Sequence, residues 1–162
     1  MFTLRCTRRL LDRMRVEPVR QLSRPSTVLG DWYANIIYFG ERQFLLAVSE
    51  RTLLPVLLPA ARAKTFARRL PAVVAEMLVA LGVPDGAIDR ELAEMASFAV
   101  GATANRQVLG SMNDFARMLE VPQDPGESLL SAALLLSEAP CGPIGMESPR
   151  RAAVAAFAQS VH

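Results

Sequence analysis

The sequence has one histidine, His162 at its end, two cysteines, Cys6 and Cys141, and a single lysine, Lys64. Zinc and haem sites draw on clusters of imidazole and thiolate, so this scarcity excludes zinc hydrolases and Cys–His proteases. A serine triad needs an imidazole held in one orientation, which a chain-terminal histidine does not provide. Any catalysis would rest on carboxylates, arginine, tyrosine or amides, and no cofactor or metal is expected. The two cysteines stand far apart, and with no secretory signal they read as reduced, buried or neutral thiols in a cytoplasmic protein. Long hydrophobic runs are also lacking. None reaches the ~20 residues of a membrane span, and the most apolar windows are broken by Glu76, Gly82 and Glu138, so no membrane partner is expected. Nor does charge of one sign dominate: 18 basic against 16 acidic side chains leave +2.

What is present suits one globular unit. At about 150 residues per domain, 162 residues make a single α+β domain spanning 1–162. With 51% hydrophobic and 21% charged residues, that chain can bury a sizeable core. The charge that exists is uneven. Arg5, Arg8, Arg9, Arg13, Arg15, Arg20 and Arg24 crowd the first 25 residues against Asp12 and Glu17, while acids outnumber bases downstream. Such a start resembles an Arg-rich transit peptide, but the two acids and the alternation of Phe2, Leu4 and Cys6 speak for a strand followed by an amphipathic turn opened at Thr7. The arginines are either a solvated helix face or a phosphate-facing patch for nucleic acid.

Along the chain, 32–39 alternates its bulky side chains and stops at Gly40-Glu41, after which 43–48 forms a second apolar run, predicting a β-hairpin with a II′ turn. The segment 52–58 is ambiguous, because Pro55 and Pro59 fit an edge strand while Thr52 could cap a short helix. Phe66, Leu70, Val74, Met77 and Leu81 repeat at helical spacing up to Gly82, with Pro71 predicting a kink or two segments. Pro84-Asp85-Gly86 turns into a helix over 87–95, and 97–103 is a short strand feeding a helix capped by Asn105. A loop is predicted over 121–126, and 129–136 reads as an apolar helix buried on several sides. Pro140 to Gly145 reads as irregular, and Ser148-Pro149 opens a last helix. The architecture expected is a small antiparallel sheet with its hairpin packed against several helices.

Three polar stretches interrupt the apolar pattern: Leu29-Gly30-Asp31-Trp32-Tyr33-Ala34-Asn35, Asn105-Arg106-Gln107-Val108-Leu109-Gly110-Ser111-Met112-Asn113-Asp114, and Ala139-Pro140-Cys141-Gly142-Pro143. Together with Leu4-Arg5-Cys6-Thr7-Arg8-Arg9-Leu10-Leu11 and Thr52-Leu53-Leu54, the chain resembles a bacterial domain family of unknown function marked by G-D-W-Y-A-N and N-R-x-V-L-G-S-M-N-D words. The resemblance spans most of the chain and implies a compact α+β domain of bacterial or mobile-element origin. It implies no activity. The departure from the family pattern is the proline- and alanine-rich stretch 55–71, which leaves helix boundaries there open.

The candidate ligand-binding residues are therefore argued from their own chemistry: Asp31, Trp32, Asn35, Asn105, Arg106, Ser111, Asn113 and Asp114. Asn105-Arg106 at a strand-to-helix turn is either a cap beside a surface cation or a helix N-terminus with a guanidinium for phosphate or carboxylate. Gly101 and Gly110 do not make a P-loop. Gly110 in mid-helix suggests close packing of a backbone or a ligand. Asp31 beside Trp32 and Tyr33 is either a turn entering the hairpin or a mouth where an aromatic ring stacks on a base. The first reading is a cytoplasmic binding or regulatory domain, not an enzyme, for a protein partner or nucleotide-like ligand. The alternatives are a metal-dependent phosphoesterase or nuclease using Asp31 and Asp114 with Arg106 as clamp, and nucleic-acid binding through the N-terminal arginines.

Overall fold

A computed structural model describes residues 1–39, 41–119 and 128–160. The predicted turn type at Gly40, the loop over 121–126 and His162 lie outside the described residues. One five-stranded sheet organises the chain: β1 (Phe2–Cys6), β2 (Trp32–Phe39), β3 (Arg42–Ser49), β4 (Pro55–Pro59) and β5 (Phe98–Ala102), in the order β4-β3-β2-β1-β5. The α+β class holds, but the sheet is mixed rather than antiparallel. β2, β3 and β4 form an antiparallel meander, whereas β1 runs parallel to both β2 and β5. The reason lies in connection length. A two-residue link closes the hairpin, with Phe39 opposite Arg42, while β1 reaches β2 only through a helix and a long crossing segment.

β1 shows why such a strand sits centrally. Phe2, Thr3, Leu4 and Cys6 are all buried, so both of its faces are covered, the habit of parallel strands. Its successor α1 (Arg8–Met14) buries Leu10, Leu11 and Met14 on the face that carries Cys6, where the two sulfurs lie 4.0 Å apart. On the opposite face α4 (Arg106–Leu119) seats Val108, Ser111, Met112, Phe115 and Leu119 and packs over β2 and β3. Both sheet edges are occupied. α5 (Leu129–Leu136) packs beside β4, and Val19 N–H donates to Val100 C=O along β5 at 2.8 Å.

The ambiguous stretch 52–58 resolves as the edge strand β4, entered by a tight corner. There Ser49 Oγ accepts from the Thr52 and Leu54 amides and Leu53 adopts φ 58°. Pro71 neither kinks nor divides its helix: α2 runs unbroken over Phe66–Ala80. Leu70, Val74, Met77 and Leu78 are fully buried on either side of the proline, and that packing outweighs one missing hydrogen bond. Gly82, at φ 82°, ends the helix, with Val83 N–H donating to Leu78 C=O. α3 (Asp85–Met95) begins two residues earlier than expected. The apolar helix α5 is buried on one side only, through Ala132, Ala133 and Leu136, with Leu135 54% exposed. The Pro-Cys-Gly-Pro segment is not wholly irregular, since Gly142–Ile144 forms a 3₁₀ turn bridged by Cys141 and Glu147. Ser148 caps α6 (Pro149–Gln159), accepting from Arg151 N–H.

Candidate functional site

The polar residues singled out in the sequence fall in three places. Asp31 is buried where the chain enters β2, and both its oxygens are engaged. Oδ1 accepts from the Thr3 amide at 2.8 Å and Oδ2 from Arg5 Nε at 3.4 Å. Arg5 also donates to Ala102 C=O and lies 5.9 Å from the Tyr33 ring centre. Tyr33 Oη in turn accepts from the Asn105 amide at 3.0 Å and points its own proton towards Glu50 at 3.5 Å. Burial pushes the Tyr33 phenol up from its usual value, against the lowering effect of the Asn105 amide. Asn105 Oδ1 accepts from the Gln107 and Val108 amides, which makes it the cap of α4. Asp31 and Asn105 are thus linked through Arg5 and Tyr33, and the network stitches β1, β2 and β5 to the start of α4. Trp32, read as a possible stacking platform, is wholly buried and belongs to the core.

The second place is a cavity of about 210 Å³ between the hairpin and α4, lined by Asn35 and Asn113 together with Tyr38, Leu46, Met112 and Ala116. Asn35 is already committed, accepting from Thr7 Oγ1 at 2.6 Å and from the Ile36 amide. Ser111 is buried on the same helix. The third place is the outer surface of α4. Arg106 is exposed there, and Asp114 pairs with Arg117 at 3.5 Å with both side chains largely in solvent. Asp31 and Asp114 share no partner. Among the described residues no three His, Cys, Asp or Glu side chains are grouped to hold a metal ion. Gly110 is not closely approached: nothing lies within 4 Å of where its Cβ would stand. The thiols are buried and free. Burial raises Cys6 to about 12, and burial together with the charge of Asp114 raises Cys141.

Sequence reading missed a fourth place, where three distant segments meet. Arg9 and Arg13 stand one turn apart on α1 and lie over the hairpin. Arg9 Nη2 donates to Tyr38 Oη at 2.8 Å, its guanidinium carbon 4.9 Å from the ring centre, and Arg13 Nη2 donates to Gln43 Oε1 at 2.7 Å. Tyr38 and Gln43 are register partners across β2 and β3, so the two contacts are neighbours. Beside them opens a groove of about 620 Å³, lined by Arg13, Gln43 and the segment 60–64 that contributes Arg62 and Lys64.

That segment is held in one shape. Arg62 sits at φ 60°, a left-handed conformation that costs a residue with a Cβ about 1–2 kcal/mol. Arg69 Nη2 donates to the carbonyls of Ala61 and Arg62, and Thr65 Oγ1 donates to the latter as well. The loop's carbonyls are thereby tied back towards α2 while Arg62 and Lys64 line the groove. Among the described residues none of Arg9, Arg13, Arg62 and Lys64 pairs with a carboxylate, unlike Arg8, which Asp12 neutralises at 3.2 Å. The signal in the sequence was half visible: the N-terminal arginines stood out, but nothing in spacing placed Arg62 and Lys64 next to them.

An α+β protein with a mixed sheet and a cationic groove on one side is the class these features define. The chain belongs to the DUF6933 family, a domain of unknown function, which it matches over residues 3–152. No curated protein and no solved structure matches it. Among the described residues no helix is long and apolar enough to cross a membrane.

Proposed function

We propose that the chain works as a single binding domain that receives the phosphate groups of an anionic ligand in the groove between α1, the β2–β3 hairpin and the segment before α2. The observation that carries this reading is a concave surface with three cations and, among the described residues, no carboxylate in its lining. Like charges gathered without counter-ions repel one another, and an anion that fills the groove relieves that repulsion. Arginine suits the task because its planar fork meets two phosphate oxygens at once. The strained backbone at Arg62 fits a ligand clamp, since a conformation of that cost persists where the surroundings hold it in place.

The metal-dependent phosphoesterase reading draws less support. Asp31 spends its oxygens on Thr3 and Arg5, and Asp114 faces solvent beside Arg117. Calorimetric titration with inorganic tripolyphosphate tests the groove. Binding is expected to weaken as salt rises, and Arg13→Ala or Lys64→Ala should each lose about 1.5 kcal/mol, the low end for a hydrogen bond to a charged group. No heat of binding at low salt, or variants that bind as the wild type does, would overturn the reading.

A further inference from the structure

The groove does not stand alone. Next to its lining residue Gln43 stands a half-exposed aromatic side chain. Tyr38 is 46% exposed, directly across the hairpin from Gln43 in the groove wall, and Arg9 reaches from α1 over one face of its ring, 4.9 Å from the centre, while donating to its hydroxyl. The ring face turned away from the guanidinium, and the guanidinium plane itself, are ledges for a flat, electron-rich surface. Because Arg9 precedes Arg13 by one turn of α1, the same helix supports the ledge and supplies one cation of the groove wall.

We infer that the ligand is single-stranded nucleic acid, with phosphates against Arg13, Arg62 and Lys64 and an unpaired base on Tyr38 and Arg9. This rests on the phosphate-groove reading and gives it a substrate class. The chemistry favours a single strand over a duplex, whose bases are stacked on one another and offer no free face to a side chain. Stacking platforms beside a cationic track are how sequence-tolerant single-strand binders hold their ligand. The groove's three cations imply about three neutralised phosphates, hence a slope of about −2 in log affinity against log salt. Affinity for a short strand should therefore fall roughly 20-fold between 50 and 200 mM salt.

The test uses the full chain, a fluorescein-labelled ten-residue oligothymidine or oligouridine followed by anisotropy, and the same-length duplex and inorganic tripolyphosphate as competitors. The single strand is expected to bind at least tenfold more tightly than the duplex. Tyr38→Leu is expected to weaken the strand about tenfold and leave tripolyphosphate binding unchanged, whereas Arg13→Ala with Lys64→Ala weakens both. Tyr38 is a surface residue, and circular dichroism confirms that its variant folds. Strand binding unaffected by Tyr38→Leu, or a duplex bound as tightly as the strand, overturns the single-strand inference while tripolyphosphate binding leaves the groove standing. Loss of both ligands from the wild type overturns both.

Discussion

Replacing Asp31 by alanine should destabilise the fold by about 3 kcal/mol, because that carboxylate closes the junction of the first two strands. Its Oδ1 is the acceptor of the buried Thr3 amide, and a buried N–H left without an acceptor costs about 1–3 kcal/mol. Its Oδ2 faces Arg5, whose side chain is 19% exposed, so the guanidinium would lose its counter-charge in a largely dry setting while keeping only Ala102 C=O. We put that second loss at about 1 kcal/mol, reduced by the remaining solvent contact. For a chain of this length each kcal/mol lowers the melting midpoint by about 2–4 °C, so Asp31→Ala should fall by roughly 6–12 °C. Asp31→Asn retains an acceptor for Thr3 and should lose only about 1 kcal/mol. Urea unfolding of the three proteins, with unchanged slope, measures the differences. An alanine variant within about 1 kcal/mol of the wild type would refute the clip, and an asparagine variant as weak as alanine would show that charge alone matters.

Gly110 lies exposed in the middle of α4 with open space around it, so Gly110→Ala should raise stability by about 0.8–1 kcal/mol in urea unfolding; a loss instead would mean that something packs there. Glu91 is buried with its carboxylate accepting from the Val28 and Leu29 amides, and burial raises it above the ordinary 4.5. The folded chain then keeps a proton that the unfolded chain releases, so stability contributed by this group falls as pH climbs from 4.5 towards the raised value. Glu91→Gln should flatten that decline in urea midpoints, whatever constant offset it adds, and an unchanged pH dependence counts against the assignment. Cys6, pushed up to about 12, and Cys141 are both buried thiols, so a thiol-reactive dye at pH 8 should label neither until denaturant is added.

Local chemistry made most elements readable. The alternation of Phe2, Leu4 and Cys6, the Asn105 cap and the Ser148-Pro149 start are each settled within a few residues, and each stands where its pattern put it. Sheet direction is different in kind. Whether β1 lies parallel to β2 depends on where the crossing segment 15–31 carries the chain, and no local pattern states that. Pro71 shows the converse, a strong local signal overruled by the buried residues around it. The G-D-W-Y-A-N word was visible as unusual, yet its oddity is structural. Asp31 is a clip, Trp32 is core, and the preceding Gly30 at φ 80° lets the turn from Thr27 close against Arg51.

The groove could not be read for a related reason. Net charge is a sum over the chain, and +2 conceals a surface on which α1 and the segment before α2 bring together cations that pair with no carboxylate among the described residues. The N-terminal arginines are not equivalent once folded: Arg5 is spent on Asp31 and Arg8 on Asp12, leaving Arg9 and Arg13 to face the hairpin. Helical geometry makes that division, since positions four apart share a face. An arginine count could suggest affinity for phosphate, but only the fold separates arginines paired with a carboxylate from those that, among the described residues, meet neutral partners.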